Sequence, residues 1–228
     1  MVTTLYLMRH GETEGNGAKR YLGAIDAPLS REGEEQVQKK AGLLSEHLSR
    51  TGVSRYLSYL RDIHGSAGAD VPSGKDAARL QAVYCSSLGR AIRSAEILAS
   101  HFGLSPIIDP ALRERSFGIW DGMSFSEIRE RYPEEFSSWA RNPLKYSPIG
   151  GETTNEVRDR AIRSTEKILQ VHRGQSIAVL AHGGINRIIL CHVLGMPLEN
   201  IFRIEQDHAA INIIEFWEQY PVLTLLNG

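Results

Sequence analysis

Cysteine is almost absent: Cys85 and Cys191 are the two in 228 residues, and their spacing is not that of a pair. That argues against a disulfide framework or a thiolate metal site. It suits two buried thiols in a reducing, cytoplasmic setting. An excess of one charge is also missing, since 26 Lys and Arg face 27 Asp and Glu. A protein bound by bulk charge to nucleic acid or to a membrane surface is therefore not expected. No apolar run approaches membrane-spanning length, and the first residues lack the charged start and apolar core of a signal peptide. Metal-ligand spacing is lacking too. His47, His64, His101, His172, His192 and His208 are read as structural or exposed, and neither metal nor cofactor is expected. What remains is a chain with 42% hydrophobic residues, enough for one large α/β domain or two small ones.

Leu5-Tyr6-Leu7-Met8 is an apolar run that ends abruptly in Arg9-His10-Gly11. It predicts a buried strand over Thr3 to Met8 whose tip presents a cation and an imidazole, with Gly11 turning the backbone away. Ser30 then caps a helix whose apolar face is Val37, Ala41, Leu44 and Leu48, and Gly52 ends it. Residues 54 to 78 have no clean period and read as a helical fragment followed by an irregular insert. The insert's glycines, beside a strand that feeds Arg90, suit a lid or a subunit contact. Gly68 to Gly74-Lys75 imitates a nucleotide-binding P-loop. Its glycines are one residue too far apart, and Asp76 stands where a magnesium-binding hydroxyl belongs.

Gln81 to Cys85 is a second strand, ending in Ser86-Ser87-Leu88-Gly89-Arg90 at the start of a helix that Gly103 closes. Cysteine-dependent phosphatases use a Cys-to-Arg interval one residue longer than Cys85 to Arg90, so Cys85 is expected to be packed. Ile107-Ile108 is a short strand candidate, and Leu112 to Gly122 is irregular. Ser124 with Glu127, and Thr153 with Glu156, form capping boxes. Residues 123 to 149 should make a small helical cap. Ser176 to Ala181 is the clearest buried strand, and it runs into His182-Gly183-Gly184 and a further helix. Ala210 to Phe216 and Val222 to Leu226 close the chain as strands.

Three strands thus end in a cation or an imidazole followed by a turn: Arg9-His10, Arg90 and His182. Parallel sheets gather such ends on one edge, and the helices opening after Arg90 and His182 can turn backbone N–H groups toward an anion. These groups can surround a phosphate dianion without a metal. Glu114 can then supply a general acid, with Glu152 and Glu12 as competing carboxylates. Arg115 is read either as a grip on a second anionic group or as a solvated arginine.

The stretches Leu7 to Thr13 with Asn16, Ser86 to Ala91, Leu112-Arg113-Glu114 through Gly122, Gly150-Gly151-Glu152 and Ala181 to Gly184 resemble, in order, the histidine phosphatase or phosphoglycerate mutase-like superfamily. The resemblance implies a three-layer α/β/α fold with a mostly parallel sheet, one domain over residues 1–228. It implies that His10 is the nucleophile and forms a phosphohistidine. Arg9, Arg90 and His182 would bind the phosphoryl oxygens, with Asn16 and Gly183 assisting. Glu114 would protonate the leaving alkoxide and then activate water.

Mutases of this family carry a longer insert with extra arginines before the second histidine. The short segment here leads straight into Gly150-Gly151-Glu152, which resembles the phosphatase branch. The expected activity is a metal-independent phosphomonoesterase on a small phosphorylated substrate, with α-ribazole 5′-phosphate as the named candidate beside broad-specificity phosphatases. A phosphoglycerate mutase and a non-catalytic phosphate-binding scaffold stay open. A homodimer is compatible with the sequence.

Overall fold

The computed structural model describes residues 2–15, 20–50 and 79–228. Asn16, Gly52, His64, the insert over 54–78 and the P-loop imitation within it lie outside the described residues. The sheet is six-stranded: β1 (Thr3–Arg9), β2 (Leu80–Cys85), β3 (Pro106–Ile108), β4 (Ser176–Ala181), β5 (Ile211–Phe216) and β6 (Pro221–Leu225). Its order is β3-β2-β4-β1-β5-β6. The first four are mutually parallel, whereas β5 runs antiparallel to β1 and β6 antiparallel to β5. The fold is mixed but mostly parallel, as expected.

Alternation along β1 builds two cores, because successive strand side chains point to opposite faces. Leu5 and Leu7 pack with Ile177 and Val179 under α5 (Thr154–Val171) and α6 (Gly183–Val193). Tyr6 and Met8 pack with Ala178 and Leu180 under α1 (Arg31–Arg50) and α2 (Gly89–His101). β4 is buried at every position, as befits a strand covered on both faces. Both capping boxes form: Ser124 with Glu127 opens α3 (Phe125–Arg131), and Thr153 with Glu156 opens α5. α4 (Pro133–Arg141) starts on Pro133, the residue that stops α3. Around these two short helices Trp120 lies edge-on to Trp139 and Phe125 edge-on to Phe136.

The connection leaving β1 runs past β4 to reach β2, and the connection leaving β4 runs past β1 to reach β5. The two helices concerned, α1 and α6, lie on opposite faces. The C-terminal tips of β1 and β4 therefore flank a crevice where the winding reverses, the place where open α/β sheets bind ligands.

Candidate active site

His10 follows β1 and His182 follows β4, so the β1–β4 register sets them side by side. The His10 N–H donates to the Ala181 carbonyl at 3.1 Å. The two imidazole centroids lie 5.1 Å apart at 61°. Both rings are buried. The Nδ1 of His10 lies 2.7 Å from the Gly11 carbonyl oxygen. A carbonyl can only accept, so Nδ1 carries the ring proton and Nε2 of the neutral ring keeps its lone pair. Burial, then Arg9 and Arg90, push the His10 pKa well below the usual histidine value, so the ring is neutral at pH 7.

His182 is lowered in the same way, first by burial and then by His10 and the two arginines. Its Nε2 meets the Ser86 hydroxyl at 2.8 Å. That hydroxyl already accepts the Leu88 N–H and is free to donate to the ring. With Ser86 donating, Nδ1 of His182 becomes a hydrogen-bond donor beside His10.

Arg90, in the first turn of α2, is almost wholly buried. Its guanidinium is aimed by the Gly23 and Ile25 carbonyls at 2.9 and 2.7 Å. Asp26 anchors the same turn, accepting from the Gly89 N–H and lying 3.5 Å from Arg90. Arg9 is held by the Gln206 carbonyl at 2.6 Å and by His208 Nε2 at 2.9 Å. Burial lowers the pKa of both arginines, partly offset by Glu114. Arg9 Nε, Arg90 Nε and His182 Nδ1 are buried without a hydrogen-bond partner among the described residues. Orphaned donors of this kind cost free energy unless something accepts from them. Three of them around one imidazole suit an oxyanion with several oxygens.

Glu114 follows the 3-10 turn Pro110–Leu112. Its Oε2 accepts the Gly184 N–H of α6 at 3.0 Å, and its Oε1 accepts the Arg115 N–H at 2.9 Å. It lines the same pocket as Arg9, His10, Arg90 and Gly183, a space of about 290 Å³. A Cβ on Gly184 would lie 2.5 Å from Glu114 Oε1, so a side chain there would displace that carboxylate.

The competing carboxylates are accounted for elsewhere. Both oxygens of Glu152 are taken by Arg160 at 2.8 Å, and one also accepts the Ser116 N–H. Burial raises the pKa of Glu152, but Arg160, that N–H and Arg115 outweigh it and hold the group ionised. Glu12 is not among the residues lining the pocket.

Two sequence expectations change. Arg115 is neither a solvated group nor a free anion grip: it is buried and donates to the Glu152 and Tyr146 carbonyls and the Thr154 hydroxyl. His208, read as structural or exposed, lies in the pocket beside Arg9, with its ring 5.9 Å from His10. Burial and Arg9 bring its pKa down to about 4. Asp26 had no assigned role. Gly11 also permits close approach, since a Cβ there would lie 2.3 Å from the Gly33 carbonyl of α1. Cys85 is packed as expected, with burial pushing its thiol up to about 12.

A neutral imidazole between two guanidiniums, with a second imidazole beside it and a carboxylate across the pocket, defines a site of the phosphoryl-transfer class. Comparison with known proteins agrees: the chain belongs to the histidine phosphatase superfamily (branch 1), whose pattern matches residues 5–61 and 74–228. Phosphoserine phosphatase 1 of Hydrogenobacter thermophilus is 30% identical over 98% of this chain and 91% of its own. The adenosylcobalamin/alpha-ribazole phosphatase of Escherichia coli is 27% identical over 98% and 95%. In fold, the alpha-ribazole phosphatase of Shigella flexneri superposes with a TM-score of 0.77 at 24% identity, covering 99% and 96% of the two chains. The chain is a phosphatase. No helix among the described residues is long and apolar enough to cross a membrane.

Proposed function

We propose that the chain is a metal-independent phosphomonoesterase that works through a phosphohistidine on His10. The observation that carries this reading is the His10 ring itself. It is neutral, and its Nδ1 is tied to the Gly11 carbonyl, so its Nε2 lone pair is left between Arg9 and Arg90. In the first step Nε2 attacks phosphorus and the P–O bond to the alcohol breaks. Glu114, as general acid, delivers a proton to the departing alkoxide. In the second step Glu114 takes a proton from water as its oxygen attacks the phosphohistidine, and inorganic phosphate leaves. Arg9, Arg90, His182 Nδ1 and the Gly183 N–H of α6 stabilise the equatorial oxygens throughout. Asn16 is kept as a further phosphate ligand in this proposal. The chain acts as one catalytic domain, with 123–149 as the cap that brings Trp139 to the pocket wall.

The substrate is a small phosphorylated metabolite. Tyr21, Leu22, Phe117, Trp139 and Ile188 give the pocket an apolar wall, which supports α-ribazole 5′-phosphate as a candidate. The test is hydrolysis of p-nitrophenyl phosphate in EDTA by wild type and His10→Ala, with rapid acid-free quenching to trap an acid-labile phosphoprotein. Activity and trapped phosphate in the wild type alone are expected. Activity abolished by EDTA, or undiminished in His10→Ala, overturns the reading.

A further inference from the structure

Arg113 to Phe117 lies between two short 3-10 turns, Pro110–Leu112 and Gly118–Trp120, and belongs to no helix or strand. Glu114, the carboxylate read above as general acid, stands within this stretch. No helical or sheet ladder sets its place, so the backbone groups around it need partners from elsewhere. Those partners come from α5 and from Glu152 just before it.

Arg160, two turns into α5, supplies most of them. Its Nε and NH2 grip the two oxygens of Glu152 at 2.8 Å. Its NH1 donates to the Ala111 and Arg113 carbonyls at 2.8 and 2.6 Å, and its NH2 also donates to the Glu114 carbonyl at 3.3 Å. A guanidinium carries five N–H donors in one fixed plane, and here there is an acceptor for each. Three of those acceptors are backbone oxygens at or just before the acid. Glu152 carries the grip past Glu114: its N–H donates to the Ser116 carbonyl at 2.9 Å, and its Oε2 accepts the Ser116 N–H at 3.1 Å. One charged pair therefore holds the backbone on both sides of Glu114.

We infer that Arg160 is a positioning residue for the general acid. It is not among the residues lining the pocket, so it acts through Glu114 and not on the substrate. The claim rests on the phosphatase reading and adds to it the device that aims the acid. With the backbone fixed before and after it, the Glu114 side chain is directed onto the Gly184 and Arg115 N–H groups. The phosphoryl ligands Arg9, Arg90 and His182 stand on β1, on α2 and just past β4. Loosening the clamp therefore moves the acid and leaves them in place. Arg160 also adds, after burial, His10, Arg90 and Arg9, to the surroundings that keep His182 neutral. A lysine in its place keeps that charge but not the planar fork.

The test compares β-glycerophosphate, whose alkoxide needs a proton to leave, with p-nitrophenyl phosphate, which does not. Turnover is measured in wild type, Arg160→Gln, Arg160→Lys and Glu152→Gln, and binding of inorganic phosphate is measured by calorimetry in each. In Arg160→Gln, kcat/KM for β-glycerophosphate should fall about 100-fold, the effect of letting a reacting group drift by about 1 Å. For p-nitrophenyl phosphate kcat/KM should fall less than about fivefold, and phosphate binding should stay as in wild type. Arg160→Lys should recover part of the loss on the alkyl ester. Glu152→Gln puts an amide nitrogen where a carboxylate oxygen accepted, so it should show the same selective loss in weaker form. It decides the matter if the Arg160 variants do not fold.

Equal losses on the two esters, or weakened phosphate binding, overturn the inference, because a general loosening of the fold would produce them. So does alkyl-ester turnover that stays at the wild-type level in Arg160→Gln or, where that variant does not fold, in Glu152→Gln. Glu114→Gln, run alongside, keeps the two failures apart. A selective loss there without one at Arg160 sinks the clamp alone. Its absence in Glu114→Gln removes the acid assignment and the clamp with it.

Discussion

Gly184→Ala separates stability from chemistry at one atom. Gly184 sits in the first turn of α6 without a left-handed φ, so its backbone accepts alanine. Helix propensity gains up to about 1 kcal/mol. The new methyl would lie 2.5 Å from Glu114 Oε1 and 3.2 Å from its carboxyl carbon. The carboxylate must retreat by about 1 Å, and a displacement of that size at a reacting group costs about 100-fold in rate. It also gives up the Gly184 N–H, a charged hydrogen bond worth about 1.5 kcal/mol. The two stability terms nearly cancel, so Tm should move by no more than about 4 °C.

The kinetic loss should depend on the leaving group. An alkyl phosphate needs a proton at its departing oxygen, whereas p-nitrophenolate leaves without one. On Gly184→Ala, kcat/KM for an alkyl ester should fall about 100-fold and for p-nitrophenyl phosphate less than about fivefold. The p-nitrophenyl reaction should also show a burst, because hydrolysis of the phosphohistidine still needs Glu114 as base. Equal losses on the two esters would refute the assignment of Glu114 as acid, and a collapse of Tm would refute the packing argument.

Arg90→Lys keeps the charge but loses the fork that the Gly23 and Ile25 carbonyls aim; kcat/KM should fall at least about 100-fold with the fold intact by circular dichroism. Ser86→Ala leaves His182 Nε2 without its hydroxyl partner and should cost about 1–3 kcal/mol in urea unfolding, together with a fall in kcat. Folding stability should drop in mild acid. His10 and His182 are held neutral in the folded protein by burial and by Arg9 and Arg90, so the unfolded chain binds more protons below its ordinary histidine pKa. Their contribution is intact above that value and declines as pH falls through it, by about 2 kcal/mol in total between pH 6.5 and 5.5. Urea titrations at those two pH values measure it, and a stability that rises on acidification would contradict the burial of neutral rings.

The parallel half of the fold was readable because its strands are unbroken apolar runs and its helices carry boxes at known offsets. Ser176–Ala181 and the two capping boxes came out at the residues named. His10, Arg90 and His182 were found by one rule: look just past the end of a parallel strand. That rule is blind to His208. Because β5 is antiparallel to β1, the residues that precede β5 reach the same sheet edge as those that follow β1. The Ala209 N–H bonds the His10 carbonyl at 3.0 Å, with Ala209 itself at φ 56°. The available signal was a polar Gln206-Asp207-His208 run just before an apolar strand. Asp26 belongs to no periodic element, and only the tertiary fold brings it to the start of α2. Arg115 was ambiguous because its partners lie some thirty to forty residues away.

The sheet order has a consequence for synthesis on the ribosome. β1 is translated long before both of its hydrogen-bonding neighbours, β4 and β5. While the intervening residues are made, one of the most apolar stretches of the chain has neither flank occupied, a state that invites adventitious pairing and chaperone capture. His10 gains its neighbour His182, and Arg9 its tether at His208, only as the last stretch emerges. A nascent chain therefore lacks phosphate-handling capacity until the segment carrying β5 has left the exit tunnel.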